Sequence, residues 1–475
     1  MYWKIERLSG HRHGVFDAAD RRFLSYASLL EQAGTLEESL RTGSKSLVAL
    51  MCDNSLASLI GYLSALRAGH AVMLTNATTE ESLKQRLIDT YAPEIVLSVA
   101  RHSESHLGYE TGPSPISGLA LYRAKRPSNA KINPETAILL STSGTTGSPR
   151  AIRLSYDNVQ SNAESIRQYL AISPDDSAIT TLPMSYSYGL SVVNSHLLAG
   201  ANIVCTNSSL VTPDFWGLFK DRKCSSFAGV PFSYEMLDRL QFGRMELPYL
   251  RTMTQAGGRL APEKIRLFAD IARQKRMRFF VMYGQTEASP RISYVPYERV
   301  HDKIGSVGIA IPGGTLRLDM DGMEVLEANI TAELVYQGPN VMLGYADTRD
   351  CLGKGDEMNG RLRTGDVGHR DAEGFYYITG RLKRFIKVFG LRLNLDEVEK
   401  MLESSLARPV ACVGKDDLLH LVVESNEKSD AAEAKRRVVK LYKLHHSVVH
   451  AHHTPLLPLN ASGKKDYVTA ARGLD

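Results

Sequence analysis

The stretch Ile138–Arg150, ILLSTSGTTGSPR, is the most informative part of this 475-residue chain. Its apolar start predicts a buried strand, and the Ser, Thr and Gly residues that follow predict a loop. Such a loop can bring backbone N–H groups and hydroxyls up to a phosphate without an intervening side chain. It differs from the common P-loop, because only two residues separate Gly144 from Gly147 and no Gly-Lys-Ser/Thr follows. On its own, this pattern is also compatible with an ordinary turn.

Composition defines the class of protein. With 43% hydrophobic and 23% charged residues, the chain is typical of a globular enzyme, and its length predicts more than one domain. The net charge of +5 is small and the basic residues are scattered, so we expect no nucleic-acid partner. We expect neither a signal peptide nor a membrane span, since no apolar run approaches the roughly 18 residues that a span needs. The five dispersed cysteines predict reduced, mostly buried thiols and a cytoplasmic protein.

Alternating strand and helix patterns run through the first two-thirds of the chain. Leu47–Met51 is a short apolar run, and Ser55–Ala68 has helical apolar spacing. This alternation predicts an α/β fold of layered, mostly parallel sheets covered by helices. From about Leu316 onward the pattern predicts a β-rich subdomain. Further strands are predicted at Ala71–Leu74, Glu94–Val99, Ala178–Leu182, Ala201–Cys205, Arg278–Tyr283, Thr331–Tyr336 and Gly374–Ile378, and Val159, Ala163, Ile166 and Leu170 are predicted to share one helix face.

The last hundred residues are predicted to form a small, mobile α+β domain. We expect a large N-terminal domain over residues 1–380, a hinge around Gly380–Lys383 and a lid domain over residues 384–475. Asn394 and Glu397 are three apart, which predicts a capping box at the start of a helix.

Five segments together resemble the acyl-adenylate-forming superfamily, which includes acyl-CoA synthetases, peptide-synthetase adenylation domains and luciferases. They follow one another in the order typical of that superfamily. The segments are STSGTTGSPR (Ser141–Arg150), YGQTEAS (Tyr283–Ser289), RTGD (Arg363–Asp366), GRLKRFIKVFGLR (Gly380–Arg392) and LPLNASGKK (Leu457–Lys465), with weaker matches at LPMSYSYGL (Leu182–Leu190), AGVP (Ala228–Pro231), AGGRL (Ala256–Leu260) and QGPNVMLGY (Gln337–Tyr345).

The resemblance implies a ligase that uses ATP and Mg²⁺. A carboxylate would attack the α-phosphorus of ATP, giving an acyl-AMP and pyrophosphate, in a site that needs positive charge and hydrogen-bond donors. Thr286 would contact the α-phosphate, and Glu287 would help to hold Mg²⁺, which prefers oxygen ligands. Asp366 would accept bonds from the ribose hydroxyls, although a lone TGD is also a common turn. The residues implied for ATP are Thr142, Ser143, Gly144, Thr145, Thr146, Gly147, Gly258, Arg259, Tyr283, Gly284, Gln285, Thr286, Asp366 and Arg381.

Lys464 is the third residue that the resemblance makes catalytic, beside Thr286 and Glu287. It would reach the carboxylate and the α-phosphate from a loop of the lid domain, where a compact ammonium on a flexible stem suits a pentavalent phosphorus. The adjacent Lys465 is the alternative, and a basic surface tail is the non-catalytic explanation.

The resemblance also implies a second step, in which a thiol takes the acyl group. The acceptor would be CoA or the phosphopantetheine of a separate acyl carrier protein. Lys383 occupies the hinge position, and Lys387 and Gly390 would line the thiol tunnel. A solvated basic strand edge is the alternative for Lys383, Arg384 and Lys387. An amide-forming synthetase and a catalytically weak nucleotide-binding homologue also stay open.

The acid pocket is implied at Tyr186, Ser187, Val230, Gly257 and Ser289, which do not define the size of a small carboxylic acid substrate. The lack of an Asp near Ser187 argues against an α-amino acid. The chain also departs from the superfamily pattern at three positions. Arg150 replaces a usual Lys, and Tyr156 and Tyr186 stand where His is common.

Histidines cluster near the C-terminus. His446, His450 and His453 have helical spacing, which would suit a metal site, but no second ligand cluster with Cys is nearby. We expect surface or packed histidines.

Overall fold

The computed structural model describes residues 1–10, 12–99, 108–141, 150–388, 391–415, 417–442, 444–460, 464–472 and 474. Its helices are α1 (Tyr26–Leu40), α2 (Leu56–Arg67), α3 (Glu81–Tyr91), α4 (Tyr156–Tyr169), α5 (Ser187–Ala199), α6 (Pro213–Asp221), α7 (Pro231–Arg239), α8 (Pro262–Gln274), α9 (Leu395–Leu406), α10 (Lys428–Tyr442) and α11 (Tyr467–Ala471).

The strands are β1 (Gly14–Asp17), β2 (Arg22–Ser25), β3 (Leu47–Cys52), β4 (Ala71–Asn76), β5 (Ile95–Val99), β6 (Tyr109–Gly112), β7 (Leu119–Ala124), β8 (Thr136–Ser141), β9 (Ala151–Ser155), β10 (Ser177–Ile179), β11 (Asn202–Cys205), β12 (Ser226–Gly229), β13 (Thr252–Gln255), β14 (Arg278–Gly284), β15 (Arg291–Val295), β16 (Ile309–Ala310), β17 (Thr315–Met320), β18 (Met323–Glu324), β19 (Ala332–Gln337), β20 (Gly344–Ala346), β21 (Arg361–Arg370), β22 (Tyr376–Arg381), β23 (Phe385–Val388), β24 (Leu391–Asn394), β25 (Val410–Lys415), β26 (Leu418–Glu424) and β27 (Val449–Thr454).

The chain divides into two compact units. The first comprises the described parts of Met1–Thr142, Ser148–Leu316 and Tyr336–Leu362, and the second includes those of Arg317–Val335 and Arg363–Asp475. The predicted hinge coincides with the end of β22 and a short 3-10 turn, Leu382–Arg384. The predicted domain boundary and hinge at residues 380–384 stay predictions.

Two large mixed sheets dominate the first unit. Their orders are β16-β15-β14-β13-β12-β10-β11-β1-β2 and β20-β9-β8-β4-β3-β5-β7-β6. The central strands are parallel, as the alternating pattern predicts, whereas antiparallel strands flank them in both sheets. Antiparallel neighbours need only short connections, so they can extend a parallel sheet without another crossover helix.

Serine caps begin several helices of this unit. Ser25 and Ser55 directly precede α1 and α2. Their hydroxyls accept from the N–H groups of Ser28 and Ser58 in the first turn of each helix. Ser155 and Asn158 form a reciprocal capping box at the start of α4. α2 is buried around nearly its whole circumference, which is typical of a helix enclosed by other layers.

The second unit has a β-rich part and an α/β part. Most of a five-stranded sheet, β18-β17-β19-β21-β22, belongs to it, together with the β23-β24 hairpin and a three-stranded sheet, β25-β26-β27. An apolar core within residues 386–449 joins α9 and α10 to these strands and includes the fully buried Val398, Leu402 and Val438.

Three local predictions need correction. The strand predicted over Ala178–Leu182 ends at Ile179. Asn394 caps α9 as predicted, but its side chain accepts from the Asp396 N–H rather than closing a box with Glu397. His450 and His453 lie in β27, so the helical interpretation of the histidine spacing is wrong. Parallel pairing with β26 determines the extended conformation of this segment.

Four of the five cysteines are buried and Cys351 is half-buried, and all are free thiols, as predicted. No helix in the described part of the chain has the length and apolar character that crossing a bilayer requires.

Candidate functional site

The carboxyl ends of parallel strands form one edge of the nine-stranded sheet. β12, β13 and β14 lie side by side, with Gly229 opposite Gln255. The predicted site residues Val230, Gly257 and Tyr283–Ser289 end or follow these three strands. Open α/β sheets bind ligands at this end of their strands. We therefore take this edge as the candidate active site.

Three predicted pocket residues meet at Gly257. This glycine has a φ of 82°, in the left-handed region. A Cβ here would lie 2.6 Å from the Tyr186 hydroxyl oxygen and 3.0 Å from the Val230 Cγ1 atom. Glycine is thus required both by the backbone and by the space. Burial raises the pKa of Tyr186, so its phenol stays protonated at neutral pH.

A pair of hydroxyls lies at the start of α5. Ser187 is the first residue of this helix and is buried, and its Oγ is 3.1 Å from the Oγ1 of Thr286. Thr286 begins a short 3-10 turn directly after β14. The contact orients the Thr286 hydroxyl, which can donate to an oxygen of a phosphate or carboxylate.

Glu287 is held through both its backbone and its side chain. Its carbonyl accepts from the Met342 N–H at 2.9 Å, and its Oε1 accepts from the Tyr345 hydroxyl at 2.9 Å. Burial, followed by the charge of Glu287, raises the pKa of Tyr345, which keeps this hydroxyl a donor.

Arg150, the replacement for the usual lysine, contacts the same tyrosine. Its guanidinium carbon lies 3.7 Å from the centroid of the Tyr345 ring, and its Nε is 3.1 Å from Asp347 Oδ1. A planar guanidinium can stack on a ring in this way, which an ammonium cannot match. Tyr345 was not predicted as a site residue from the sequence, although it is the last residue of the weak QGPNVMLGY match.

Asn340 supports the turn after Glu287 and was also missed. Its Nδ2 donates to the carbonyls of Ala288 at 2.6 Å and Arg291 at 2.7 Å, and its backbone carbonyl accepts from the Ser289 hydroxyl at 2.8 Å. The predicted pocket residue Ser289 is buried by this contact. Asn340 belongs to the same QGPNVMLGY segment, so that segment was the available signal.

Further residues implied for ATP lie at the ends of β14 and β13. A Cβ on Gly284 would lie 1.8 Å from the carbonyl oxygen of Pro290, so only glycine fits the close pairing with β15. The amide of Gln285 donates to the Tyr283 hydroxyl at 3.2 Å. After β13, Gly258 and Arg259 are exposed.

Asp366 and Arg381 meet in the second unit. They lie opposite each other in the antiparallel pair β21-β22, and Arg381 Nε is 2.8 Å from Asp366 Oδ1. The aspartate is buried while the arginine is largely exposed. The structure thus brings together two residues that the resemblance assigned to ATP.

The two C-terminal lysines have different surroundings, which also belong to the second unit. Lys465 Nζ lies 3.0 Å from Glu399 and 2.7 Å from Glu403, both on α9. Burial opposes the charge of Lys465, but these carboxylates raise its pKa overall. Lys464 is exposed, and its N–H donates to the Asn460 side chain at 3.0 Å. Lys465 is therefore committed to α9, whereas Lys464 lies at the surface.

Arg384 belongs to the same ionic cluster as Lys465. It is largely buried, pairs with Asp396 at 2.8 Å and with Glu399, and stacks on Tyr467. The alternative interpretation of Arg384 as part of a solvated strand edge is therefore wrong.

The sequence profile of AMP-binding enzymes matches residues 4–346, well over half of the chain. The chain belongs to the AMP-binding enzyme family. The resemblance inferred from the five motifs is thereby confirmed.

Relatives of this AMP-binding enzyme include named CoA ligases. The chain is 27% identical over 437 residues to the indoleacetate–CoA ligase of Aromatoleum aromaticum, which covers 87% of this chain and 84% of that protein. The fold is similar to that of o-succinylbenzoate CoA synthetase (MenE) from Bacillus subtilis. Its complex with the acyl-adenylate OSB-AMP matches with a TM-score of 0.77 at 20% identity, over 99% of this chain and 98% of that one. Its complex with ATP and a magnesium ion matches with a TM-score of 0.74 at 21% identity, over 98% of each chain. The predicted fold class is confirmed.

Some predicted residues of this AMP-binding enzyme lie outside the described part. The whole phosphate loop, Thr142–Gly147, and Gly390 are among them, as are the side chains of Lys383 and Lys387. Their assigned roles stay predictions.

Proposed function

We propose that this chain is an ATP-dependent ligase that activates a small carboxylic acid as an acyl-AMP and transfers the acyl group to CoA. The observation that carries the proposal is the strand edge of the first unit, where Thr286 and Glu287 are each held by a specific partner. Family membership supports it, as do relatives named CoA ligases.

In the activation step, a carboxylate oxygen forms a bond to the α-phosphorus of ATP, and the bond from that phosphorus to the pyrophosphate oxygen breaks. Negative charge grows on the oxygens of the α-phosphate. The Thr286 hydroxyl, oriented by Ser187, would donate to one of these oxygens, and Lys464 would supply a positive charge to the same centre.

Glu287 fits the role of a magnesium ligand. It presents a carboxylate beside a strand end, and one of its oxygens is oriented by Tyr345. In the described ranges no group of three or more His, Cys, Asp or Glu residues could hold a metal. A single carboxylate suits Mg²⁺, which takes its other ligands from phosphates and water. When bound, this ion would neutralise charge on the phosphates.

Nucleotide binding would use further residues that the resemblance assigns. Asp366 would bind the ribose, and Arg381 would bind the ribose or a phosphate. Tyr283 would stack on the adenine, and the Thr142–Gly147 loop would donate to the outer phosphates. The pairing of Asp366 with Arg381 supports the first of these roles, since it orients a buried carboxylate.

In the transfer step, a thiolate sulfur attacks the acyl carbonyl carbon, and AMP leaves. We propose CoA as the acceptor because the relatives are named for it. Rotation at Lys383, with Lys387 and Gly390 lining the thiol tunnel, stays part of this proposal. A separate carrier protein, an amine acceptor and a cytoplasmic location remain predictions or alternatives from the sequence.

Acid-dependent ATP–pyrophosphate exchange tests the proposal. A panel of short, fatty, aromatic and dicarboxylic acids should include one that supports exchange and, with CoA added, gives a thioester detected by mass spectrometry. Absence of exchange with every acid would contradict the proposal. Thioester formation with a carrier protein but not with CoA would replace the proposed acceptor.

Lys464→Met should lower the exchange rate by about 100-fold or more, the usual effect of removing one charge aimed at a transition state. ATP binding, followed by calorimetry, should change little. A mutant with the wild-type exchange rate would remove Lys464 from the mechanism.

A further inference from the structure

Arg291 is a buried cation in the first unit. Its side chain is 2% exposed, and no carboxylate of the described residues forms an ion pair with it. Its Nε has no hydrogen-bond partner. Arginine stays charged in proteins, and a buried charge is costly unless it is paired. The folded chain therefore leaves a requirement for an anion at this point.

The neighbours of Arg291 do not meet this requirement. Its guanidinium carbon lies 4.2 Å from the centroid of the Tyr188 ring. Burial raises the pKa of Tyr188 and of Tyr169, and the charge of Arg291 only partly opposes this effect, so both phenols are neutral. Ring contacts and neutral hydroxyls lower the cost of the buried charge but do not neutralise it.

Arg291 lies close to the candidate active site. It is the first residue of β15 and pairs with Gly284 at the end of β14, two residues before Thr286. Tyr188, on which it stacks, directly follows Ser187, the partner of Thr286. The buried cation is thus connected to the reacting edge through adjacent residues of α5 and of β14.

A cavity in the first unit adjoins Arg291. Apolar and neutral polar side chains line much of it, among them Ile166, Val192, Ser195, His196 and Thr254. Asp176 also lines the cavity, but Arg251 at 2.9 Å and Ser225 at 2.7 Å already use its Oδ1. Burial lowers the pKa of His196, which is therefore neutral at pH 7. The cavity has a volume of about 30 Å³, so it has room for a small polar group such as a carboxylate beside the unmatched charge of Arg291.

We propose that Arg291 determines specificity by binding a second carboxylate, at the end of the acid substrate remote from the carboxyl that is activated. This inference rests on the proposed function and narrows its substrate class to dicarboxylic acids. A planar guanidinium matches a carboxylate through paired N–H donors, which would satisfy the orphaned Nε. The substrate would then complete an ion pair that the protein leaves half-built.

Matched acids test the inference. Straight-chain and aromatic dicarboxylic acids are compared in ATP–pyrophosphate exchange with monocarboxylic acids of the same carbon skeleton. The best dicarboxylic acid should exceed its monocarboxylic counterpart in kcat/KM by about 100-fold, the effect expected of a buried charge pair. In Arg291→Met, this advantage should disappear, while exchange with the monocarboxylic acid stays the same or rises.

Arg222→Met is the matched control, because Arg222 also stacks on an aromatic ring, Phe16, but is exposed. It should leave the preference unchanged. Equal losses with both acids in Arg291→Met, or a wild-type preference for the monocarboxylic acid, would overturn the inference while leaving the ligase proposal intact. Absence of exchange with every acid would overturn both. If Arg291→Met does not fold, Arg291→Lys and the wild-type preference still decide the question.

Discussion

Single side chains explain one departure from the superfamily pattern. Arg150 stacks on Tyr345 and pairs with Asp347, and Tyr345 in turn donates to Glu287. A lysine would keep the charge at position 150 but would lose the planar contact with the ring. The substitution therefore belongs to a local arrangement that orients Glu287, which argues against a decayed, catalytically weak homologue.

Tyr345→Phe tests the importance of that arrangement. The ring under Arg150 remains, but the hydrogen bond to the Glu287 carboxylate is lost. A hydrogen bond to a charged group contributes about 2 kcal/mol, so the exchange rate should fall by about 30-fold. A melting temperature equal to wild type would serve as the folding control. Unchanged exchange over a range of magnesium concentrations would contradict a role for Tyr345.

Cys351 should be the reactive thiol of the chain. It is half-buried, and a hydrogen bond with the Thr348 hydroxyl lowers its pKa, whereas burial raises the pKa of Cys52 and of Cys224 to about 12. The thiolate is the nucleophile, so labelling by a disulfide reagent should start at a lower pH than for a free thiol. Cys351→Ser should remove the fast phase, and Cys224→Ser should keep it. A fast phase that survives in Cys351→Ser would refute the assignment.

Secondary structure elements explain why two adjacent lysines differ. The carboxylates of Glu399 and Glu403 on α9 hold Lys465, and Arg384 pairs with Glu399 from another side. Lys465 is thus required to neutralise a helix face, whereas Lys464 lies at the surface. This difference supports Lys464 as the catalytic lysine.

Lys465→Met should lower the free energy of unfolding by about 3 kcal/mol, because it leaves the carboxylate of the buried Glu399 under-compensated. The folded-state pKa of Lys465 is raised, so its stabilisation is fully present below the unfolded pKa and is lost only as the pH rises through the higher folded value. The difference from wild type in urea unfolding should therefore stay constant from about pH 7 to pH 10. A difference that vanishes within this range would contradict the ion pairs.

At the scale of the whole molecule, the chain has more than one apolar core. Leu63 is fully buried in a core of the first unit, and Leu402 is fully buried in the core within residues 386–449 of the second. Each unit encloses its own apolar side chains, which is the usual basis of independent unfolding.

Leu63→Ala and Leu402→Ala should therefore destabilise different transitions, each by about 3 kcal/mol. Both tryptophans, Trp3 and Trp216, lie in the first unit, so their fluorescence reports on that unit. In urea, Leu63→Ala should shift the fluorescence midpoint, while Leu402→Ala should shift only the circular dichroism signal. Equal shifts of both signals in both variants would indicate one cooperative unit.

Most of the fold could be read from local patterns. The strands at Leu47–Cys52, Ala71–Asn76 and Arg278–Gly284 and the helix Leu56–Arg67 follow apolar periodicity, which reflects the burial of neighbouring residues along the chain. The failures, at β10 and among the C-terminal histidines, occur where pairing with another strand determines the conformation.

The linear motifs were likewise sufficient to predict the family, because each motif carries its residues within a few positions, and they are the basis on which Thr286, Glu287, Asp366 and Arg381 are proposed as site residues. The partners of these residues were not predictable. Tyr345 reaches Glu287 across 58 positions, and Ser187 reaches Thr286 across 99. Arg291 appeared unremarkable in the sequence, since a charge that lacks a counter-ion is recognisable only once folding has placed every other group. Periodicity records burial along one element, but only the folded chain decides which charges and hydroxyls meet.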